Sequence, residues 1–360
     1  MTEYLDTLIF LGHLFSGLIM CQTIMAASNN MQFMKSYPVL TINYTVLALF
    51  MMYFGVMAQS TLHIHKTSLV VFNVNPSSHL GFTRFYQCLF IGSVFALIRV
   101  QVLDVLFRKR HLVKVDLFLH VVDVYYKFKA RYWAAIFYGF LIAMIFWFAL
   151  AQNVPTEHID IIREGFGIEL NETAHLSLSL YNCSSENLLP ILDSECSFNW
   201  FSHVFLLFIV SITVYNDLKI RIYLHGFSTL LRSNSDRFSV IHQHTLAQWK
   251  TTLEIQTFSM FAFINIPIYL TILSLLFNLQ NNVTISYILW LWSFYPTVYN
   301  IIGLIFMIPN RQFIKKQFCS LRWGLRQAFY VIKDIFSPPP KAPNTGVFEL
   351  DDIEYLYDSD

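Results

Sequence analysis

Two close histidine pairs, His63/His65 and His242/His244, are the first residues whose spacing could do chemistry. Clustered histidines hold catalytic metals in membrane hydroxylases and desaturases. A catalytic metal needs three protein ligands or more, and neither pair has a third ligand beside it in sequence. The topology derived below puts the pairs on opposite sides of a membrane, so they read as loop histidines. The chain has 12 glycines and neither a phosphate-cradling glycine loop nor a Gly-x-Ser-x-Gly elbow. Paired carboxylates inside an apolar run, as a proton-coupled carrier or membrane protease needs, are also missing. The sequence points away from catalysis, and it leads us to expect no cofactor, no metal and no nucleic-acid partner.

What remains is a small set of polar, thiol and proline residues in apolar surroundings. Arg99 interrupts an apolar run, and an intramembrane charge is costly enough to face a cavity or a partner. It reads either as a ligand counter-charge or switch, or as an arginine snorkelling to the inner interface. Asp104 is five residues on, about 140° round the helix, which disfavours a direct pair with Arg99. Pro267 and Pro296 each remove a backbone hydrogen bond and are hinge candidates. Pro296 sits in Tyr295-Pro296-Thr297-Val298-Tyr299. Of the five cysteines, Cys88 and Cys196 could fasten a long outer loop across the bundle mouth, while Cys183–Cys196 is the competing pair. Cys319, in a basic amphipathic stretch, is a palmitoylation candidate or a plain reduced thiol.

The elements that must position these residues are membrane spans. Apolar residues make up 55% of the chain and charged residues 13%, about half the charged share of an ordinary soluble domain. Uncharged runs place helices at about 6–28, 37–60, 83–107, 132–153, 200–220, 255–279 and 285–309, the first a signal anchor. The run Ser286 to Pro309 alone gives about 36 Å of helix, enough to cross a bilayer core. With the N-terminus outside, inner segments hold twenty Lys and Arg residues against three in outer segments. The sequons at Asn171, Asn182 and Asn282 then all fall outside and are expected glycosylation sites. The acidic loop 154–199 is of a length that is usually functional or disordered, and it reads either as a functional segment or as a solvated, glycosylated lid with no specific contacts. The inner loop 108–131 reads as an interfacial helix. Apolar residues from Ile314 to Phe336 recur every three or four positions beside Lys315, Lys316, Arg322, Arg326 and Lys333, which marks an amphipathic helix on a lipid surface. Ser337-Pro338-Pro339-Pro340 ends it, and the acidic stretch after Phe348 reads as a disordered tail. The expected fold is an all-α membrane protein, a seven-transmembrane helix bundle over 1–309. An interfacial eighth helix over 310–336 and a cytosolic tail over 337–360 follow.

Seven spans, Pro267 in span six, Tyr295-Pro296-x-x-Tyr299 in span seven and the eighth helix together resemble a rhodopsin-like G-protein-coupled receptor. Tyr295 stands where that family has Asn, Leu106-Phe107-Arg108 where it has Asp-Arg-Tyr, and Asn265-Ile266-Pro267 where it has Cys-Trp-x-Pro. With those departures the chain is similar to the nematode serpentine chemoreceptors, in the superfamily that includes the Str, Srh and Sri groups. The resemblance implies a chemosensory receptor in the plasma membrane of sensory neurons and their cilia. It implies an unidentified small-molecule ligand held among the helices and signalling to a heterotrimeric G protein. Arg108, Lys109, Arg110, Arg221 and Lys250 are the expected basic face for that partner, and Pro267, Tyr295, Pro296 and Tyr299 the hinge and switch positions. A ligand-gated channel or carrier is the alternative.

Overall fold

A computed structural model describes residues 2–29, 36–65, 67–73, 80–113, 121–150, 156–182, 197–233, 240–277, 288–307, 310–317, 319–320 and 322. The helices are α1 (Thr2–Asn29), α2 (Ser36–Ala58), α3 (Leu80–Val113), α4 (Val121–Ala149), α5 (Thr156–Phe166), α6 (Trp200–Ser233), α7 (Val240–Met260), α8 (Ile266–Phe277) and α9 (Ile288–Phe306). A π-helical turn, Phe261–Asn265, joins α7 to α8, so the two form one span. Six helical spans are long and apolar enough to cross a membrane. The seventh is α9, counted with the helical stretch Asn310–Gln317 that follows it. The chain is a seven-transmembrane helix bundle.

The central helix is α3. Along Leu80–Arg108 most of its side chains are buried, whereas α1, α4 and α6 turn apolar faces outward, with Leu18, Phe148 and Trp200 among the exposed residues. Apolar residues outside and inside alike are what lipid requires of a spanning helix, because no water is there to drive them inward. Helix α4 approaches α3 through Gly92, Ala96, Gly139 and Ala143, whose lack of bulk lets two backbones touch. Three spans reach far beyond lipid thickness: α3 and α6, each of 34 residues, and the joined α7–α8 span, which starts at Val240 and ends at Phe277. Residues 108–131 hold no separate interfacial helix among the described residues, since α3 extends to Val113 and α4 begins at Val121.

The loop 154–199 is structured where it is described, which rules out the reading as a merely solvated lid. Strands β1 (Ser60–His65), β2 (Ser68–Asn73) and β3 (His175–Ser179) form an antiparallel sheet in the order β1-β2-β3. A second ribbon pairs β4 (Tyr181–Asn182) with β5 (Ser197–Phe198). Side chains alternate across a sheet. Leu62, Leu69, Val71 and Leu178 face the bundle, while Val70 and Phe72 pack with Ile162 of α5 and with Ile168 and Leu170. The sheet is thus the filling of a two-layer cap. Its anchors are backbone carbonyls: Arg84 Nε donates to His175 O at 2.8 Å, and Ser177 N to Leu150 O at 2.9 Å.

His63 is paired with Val70, so it shares the outer face of the sheet, where it is buried. Burial, with the neighbouring His65 charge, lowers its pKa below the ordinary value of 6.5. Burial also lowers that of His175, the Arg84 charge adding to it against a hydrogen bond to Thr173 O. An unfolded imidazole takes up a proton near 6.5, the folded one only at lower pH. The cap therefore loses stability as pH falls through about 6.5, and the loss levels off below the folded values. Protection factors of the β1–β3 amides, with exchange rates corrected for their intrinsic pH dependence, are expected to fall between pH 7.5 and 5.5 while those of α3 do not. His63→Gln with His175→Gln should flatten that dependence, and protection factors unchanged over this range in the unsubstituted chain would refute it.

The chain divides into two compact units, Met1–Phe313 and Ile314–Asp360. In the second, Ile314–Gln317 is helical and Cys319 is exposed. The proposed tail lies outside the described residues.

Candidate functional site

Beneath the sheet lies a cavity of about 90 Å³. Its walls come from α3 (Ile91, Phe95), α4 (Phe146) with Leu150 just beyond its end, α6 (Phe205, Ile209), α8 (Ile268, Thr271, Leu275) and α9 (Leu289, Trp292). Four residues of the sheet, Leu62, Leu69, Val71 and Leu178, roof it. Phe146 and Phe205 meet edge to face at 4.9 Å, a favourable geometry for two rings. Thr271 Oγ1 donates to Pro267 O at 2.8 Å, so its proton is engaged. The Nε1–H of Trp292 is buried and has no acceptor. The lining can exclude water and receive an uncharged molecule; it offers no countercharge to an ion. Arg99 does not line it. Arg99 Nη1 donates to Asn216 Oδ1 at 3.4 Å, and the guanidinium lies 5.8 Å from the Tyr215 ring centre, so α3 and α6 hold this charge between them.

Further along α3, away from the sheet, Gln101, Asp104 and Arg108 lie on one side of the helix at spacings of three and four. The Arg108 guanidinium grips Asp104 with two bonds, Nε to Oδ1 at 3.0 Å and Nη2 to Oδ2 at 2.7 Å. Both side chains are about 95% buried. Span seven closes the group: the Tyr299 hydroxyl donates to Asp104 Oδ2 at 3.1 Å, and that of Tyr295 donates to Gln101 Oε1. Tyr44 of α2 stacks on Tyr299 with ring centres 3.9 Å apart. Thr45 Oγ1 lies 3.0 Å from Asn300 Oδ1, and Gln256 Nε2 of α7 donates to Tyr299 O at 3.1 Å. Four spans meet in this lock. A bidentate pair shielded from water is strong only while both partners stay, because either alone is an uncompensated buried charge.

Arg108 was expected on an exposed basic face, and that is corrected: it is 3% exposed and committed to Asp104. Its triplet Arg108-Lys109-Arg110 hides a helical distinction, since only Arg108 is four residues from Asp104. The side chains of Lys109 and Arg110 lie outside the described residues. Arg221 is exposed and pairs with Asp217 at 3.0 Å, and Lys250 pairs with Glu254 at 3.5 Å. Cys88 is a free thiol buried in the α3 packing, so the Cys88–Cys196 bridge is not formed. Cys196 and Asn282 lie outside the described residues. Asn171 falls in a 3₁₀ turn of the cap and Asn182 in β4. Helix α9 continues through Pro296, where the Asn300 side chain donates to the Pro296 carbonyl at 2.9 Å. Pro267 lies two residues past the last residue of the π-turn, Asn265, which is buried with both side-chain polar atoms unpartnered. Among the described residues no group of three or more His, Cys, Asp or Glu could hold a metal.

The sequence profile of the serpentine type seven-transmembrane G-protein-coupled chemoreceptor Str family matches residues 2–315. The chain belongs to the Str family of chemoreceptors. In this Str chain the match takes in both the cavity and the lock. No curated protein matches it. Str proteins are receptors rather than enzymes, and the seven spans place this Str chain in a membrane as a multi-pass protein.

Proposed function

We propose that this chain is a chemosensory receptor whose cavity takes a small uncharged ligand and whose opposite end engages a heterotrimeric G protein. The observation that carries this reading is the apolar cavity roofed by the sheet and walled by five spans, three of which, α3, α7–α8 and α9, also make the Asp104 lock. A cavity of about 150 Å³ is known to admit benzene. This one, at about 90 Å³, suits a molecule of a few heavy atoms unless the sheet or Trp292 yields. Its N-terminus and sheet face outward, its glycans are on Asn171 and Asn182, and it resides in the plasma membrane of sensory neurons and their cilia. Arg221 and Lys250 belong to the G-protein face, and Pro267 and Pro296 serve as hinges. Cys319 carries a palmitoyl chain.

Trp292 supplies the first discriminating experiment. Its unpartnered donor favours ligands with one hydrogen-bond acceptor over hydrocarbons of the same size. In a ligand screen with a calcium or cyclic-nucleotide readout, Trp292→Phe should weaken acceptor-bearing agonists about tenfold and leave hydrocarbons unchanged. Equal loss for both classes would count against that assignment. Purified receptor with an active compound should accelerate nucleotide exchange on a Gα subunit. A ligand-evoked current in cells lacking G-protein signalling would instead favour a channel. Protease protection that put residues 345–360 outside would reverse the topology.

A further inference from the structure

Two cations share one ring toward the end of the bundle away from the sheet. Arg99 of α3 and Lys219 of α6 both meet Tyr215, the guanidinium 5.8 Å and the ammonium 5.4 Å from its ring centre. A ring attracts a cation but carries no net charge to cancel it. The hydrogen bond from Arg99 to Asn216 Oδ1 also reaches a neutral group, and at 3.4 Å it is long. Helices α3 and α6 carry one carboxylate each, and both are engaged elsewhere. Asp104 is gripped by Arg108, and Asp217 pairs with Arg221. Asp217 is two residues from both Tyr215 and Lys219, about 200° round α6 and so on its far side. Among the described residues, neither Arg99 nor Lys219 has a carboxylate partner.

Their depth decides which anion is at hand. Trp200, which opens α6, packs on Phe198 of β5 with ring centres 4.6 Å apart. Lys219 is nineteen residues on, about 28 Å along the helix, close to the thickness of a hydrocarbon core. Its ammonium therefore reaches the headgroups of the leaflet away from the sheet, and Tyr215, one turn back, lies just inside them. The Tyr215 ring is 50% exposed. Beside it Leu207, Val214 and Leu218, seven and four residues apart, lay an exposed apolar stripe along α6 toward the middle of the bilayer. A charge at this depth either reaches water or meets an anion that the bilayer holds there. Lipid phosphate is that anion, and guanidinium–phosphate bonds are among the strong ones.

We propose that Arg99 and Lys219 form a binding site for an anionic phospholipid, with its phosphate between the two cations and an acyl chain along Leu218, Val214 and Leu207. A headgroup of net negative charge suits two cations better than a zwitterion, whose own ammonium competes with them. Assigning the lipid to the cytoplasmic leaflet, where anionic lipid is concentrated, rests on the topology proposed above; the site itself does not. Occupied, it ties span three to span five within two turns of Asp104.

Native mass spectrometry of the full chain, released from nanodiscs of phosphatidylserine and phosphatidylcholine in equal parts, tests this directly. More phosphatidylserine than phosphatidylcholine is expected to stay bound. Lys219→Gln should lower that ratio about fivefold, the effect of one cation near an anionic headgroup, and Lys219→Arg should keep it. Lys219 is half-buried, so these two variants decide the question even where Arg99→Gln fails to fold. An unchanged ratio in Lys219→Gln would overturn the site. So would an equal fall with Arg131→Gln, an exposed cation of α4, because diffuse attraction would then suffice. Release of the bound phosphatidylserine by excess inorganic phosphate would also overturn it, in favour of a soluble anion. Both leaflets of the disc carry both lipids, so these results do not depend on orientation. The protease-protection experiment on residues 345–360 tests the leaflet separately, and the two readings can fail independently.

Discussion

Replacing Asp104 with alanine is expected to cost about 3–5 kcal/mol, one of the two largest effects of any single change in this bundle. The cost comes mainly from what stays behind. Arg108 would keep its charge in a site where its side chain is 4% exposed, without the Asp104 carboxylate that grips it. The Tyr299 hydroxyl would lose its acceptor as well, which adds about 1 kcal/mol. Removing both charges together should cost far less, because a buried pair does little better than well-packed apolar residues of the same volume. Asp104→Leu with Arg108→Met is therefore expected to recover most of the loss. Thermal unfolding of purified protein in detergent, read beside surface abundance in cells, makes the comparison. A double variant as unstable as Asp104→Ala would mean that the ion pair itself, and not the orphaned charge, carries the stability.

Gly92→Leu is expected to abolish surface expression. A Cβ at Gly92 would collide with the Gly139 carbonyl and sit 2.8 Å from the Ala143 Cβ. One at Gly139 would sit 2.6 Å from the Ala96 Cβ and 2.7 Å from Gly92 O. These obstacles are backbone and alanine atoms, which have no rotamer to move, so the helices themselves must part. Gly92→Ala should then cost about 1–3 kcal/mol, the range for overpacking a close contact. Gly81→Ala is the control, since nothing lies within 4 Å of its new Cβ. Equal expression of the Gly81 and Gly92 alanine variants would disprove the tight seam.

The spans were legible in the sequence because a bilayer imposes length and lack of charge on every one of them. Their ends were not. Helices α6 and α7 continue into segments with Lys219, Arg221, Arg232 and Lys250, and charge that ends an apolar run does not end a helix. The cap was hidden for a different reason. Leu69-Val70-Val71-Phe72 is buried on both faces, so it shows no alternation, and its partner β3 is about a hundred residues away. In the lock, Tyr295 and Tyr299 stood out, but their partners did not. Asp104 is out of phase with Arg99, but Arg108, four residues on, lies on its own side of the helix, and that spacing marks the pair. Gln101, Asp104 and Arg108 on one side of an otherwise apolar helix were the available signal.

The π-turn at Phe261–Asn265 sets the phase of span six. An α-helix advances about 100° per residue. On a continuous α-helix, Ile268, Thr271 and Leu275 would point on average roughly 90° round from Gln256. A π-turn holds about one extra residue and so takes back about that much rotation. The side chains that line the cavity and the one that holds the Tyr299 carbonyl are thereby brought onto a single azimuth. Tightening this turn to regular α-helix would swing the two halves of the span about a quarter turn out of alignment, with no bend in the helix axis required.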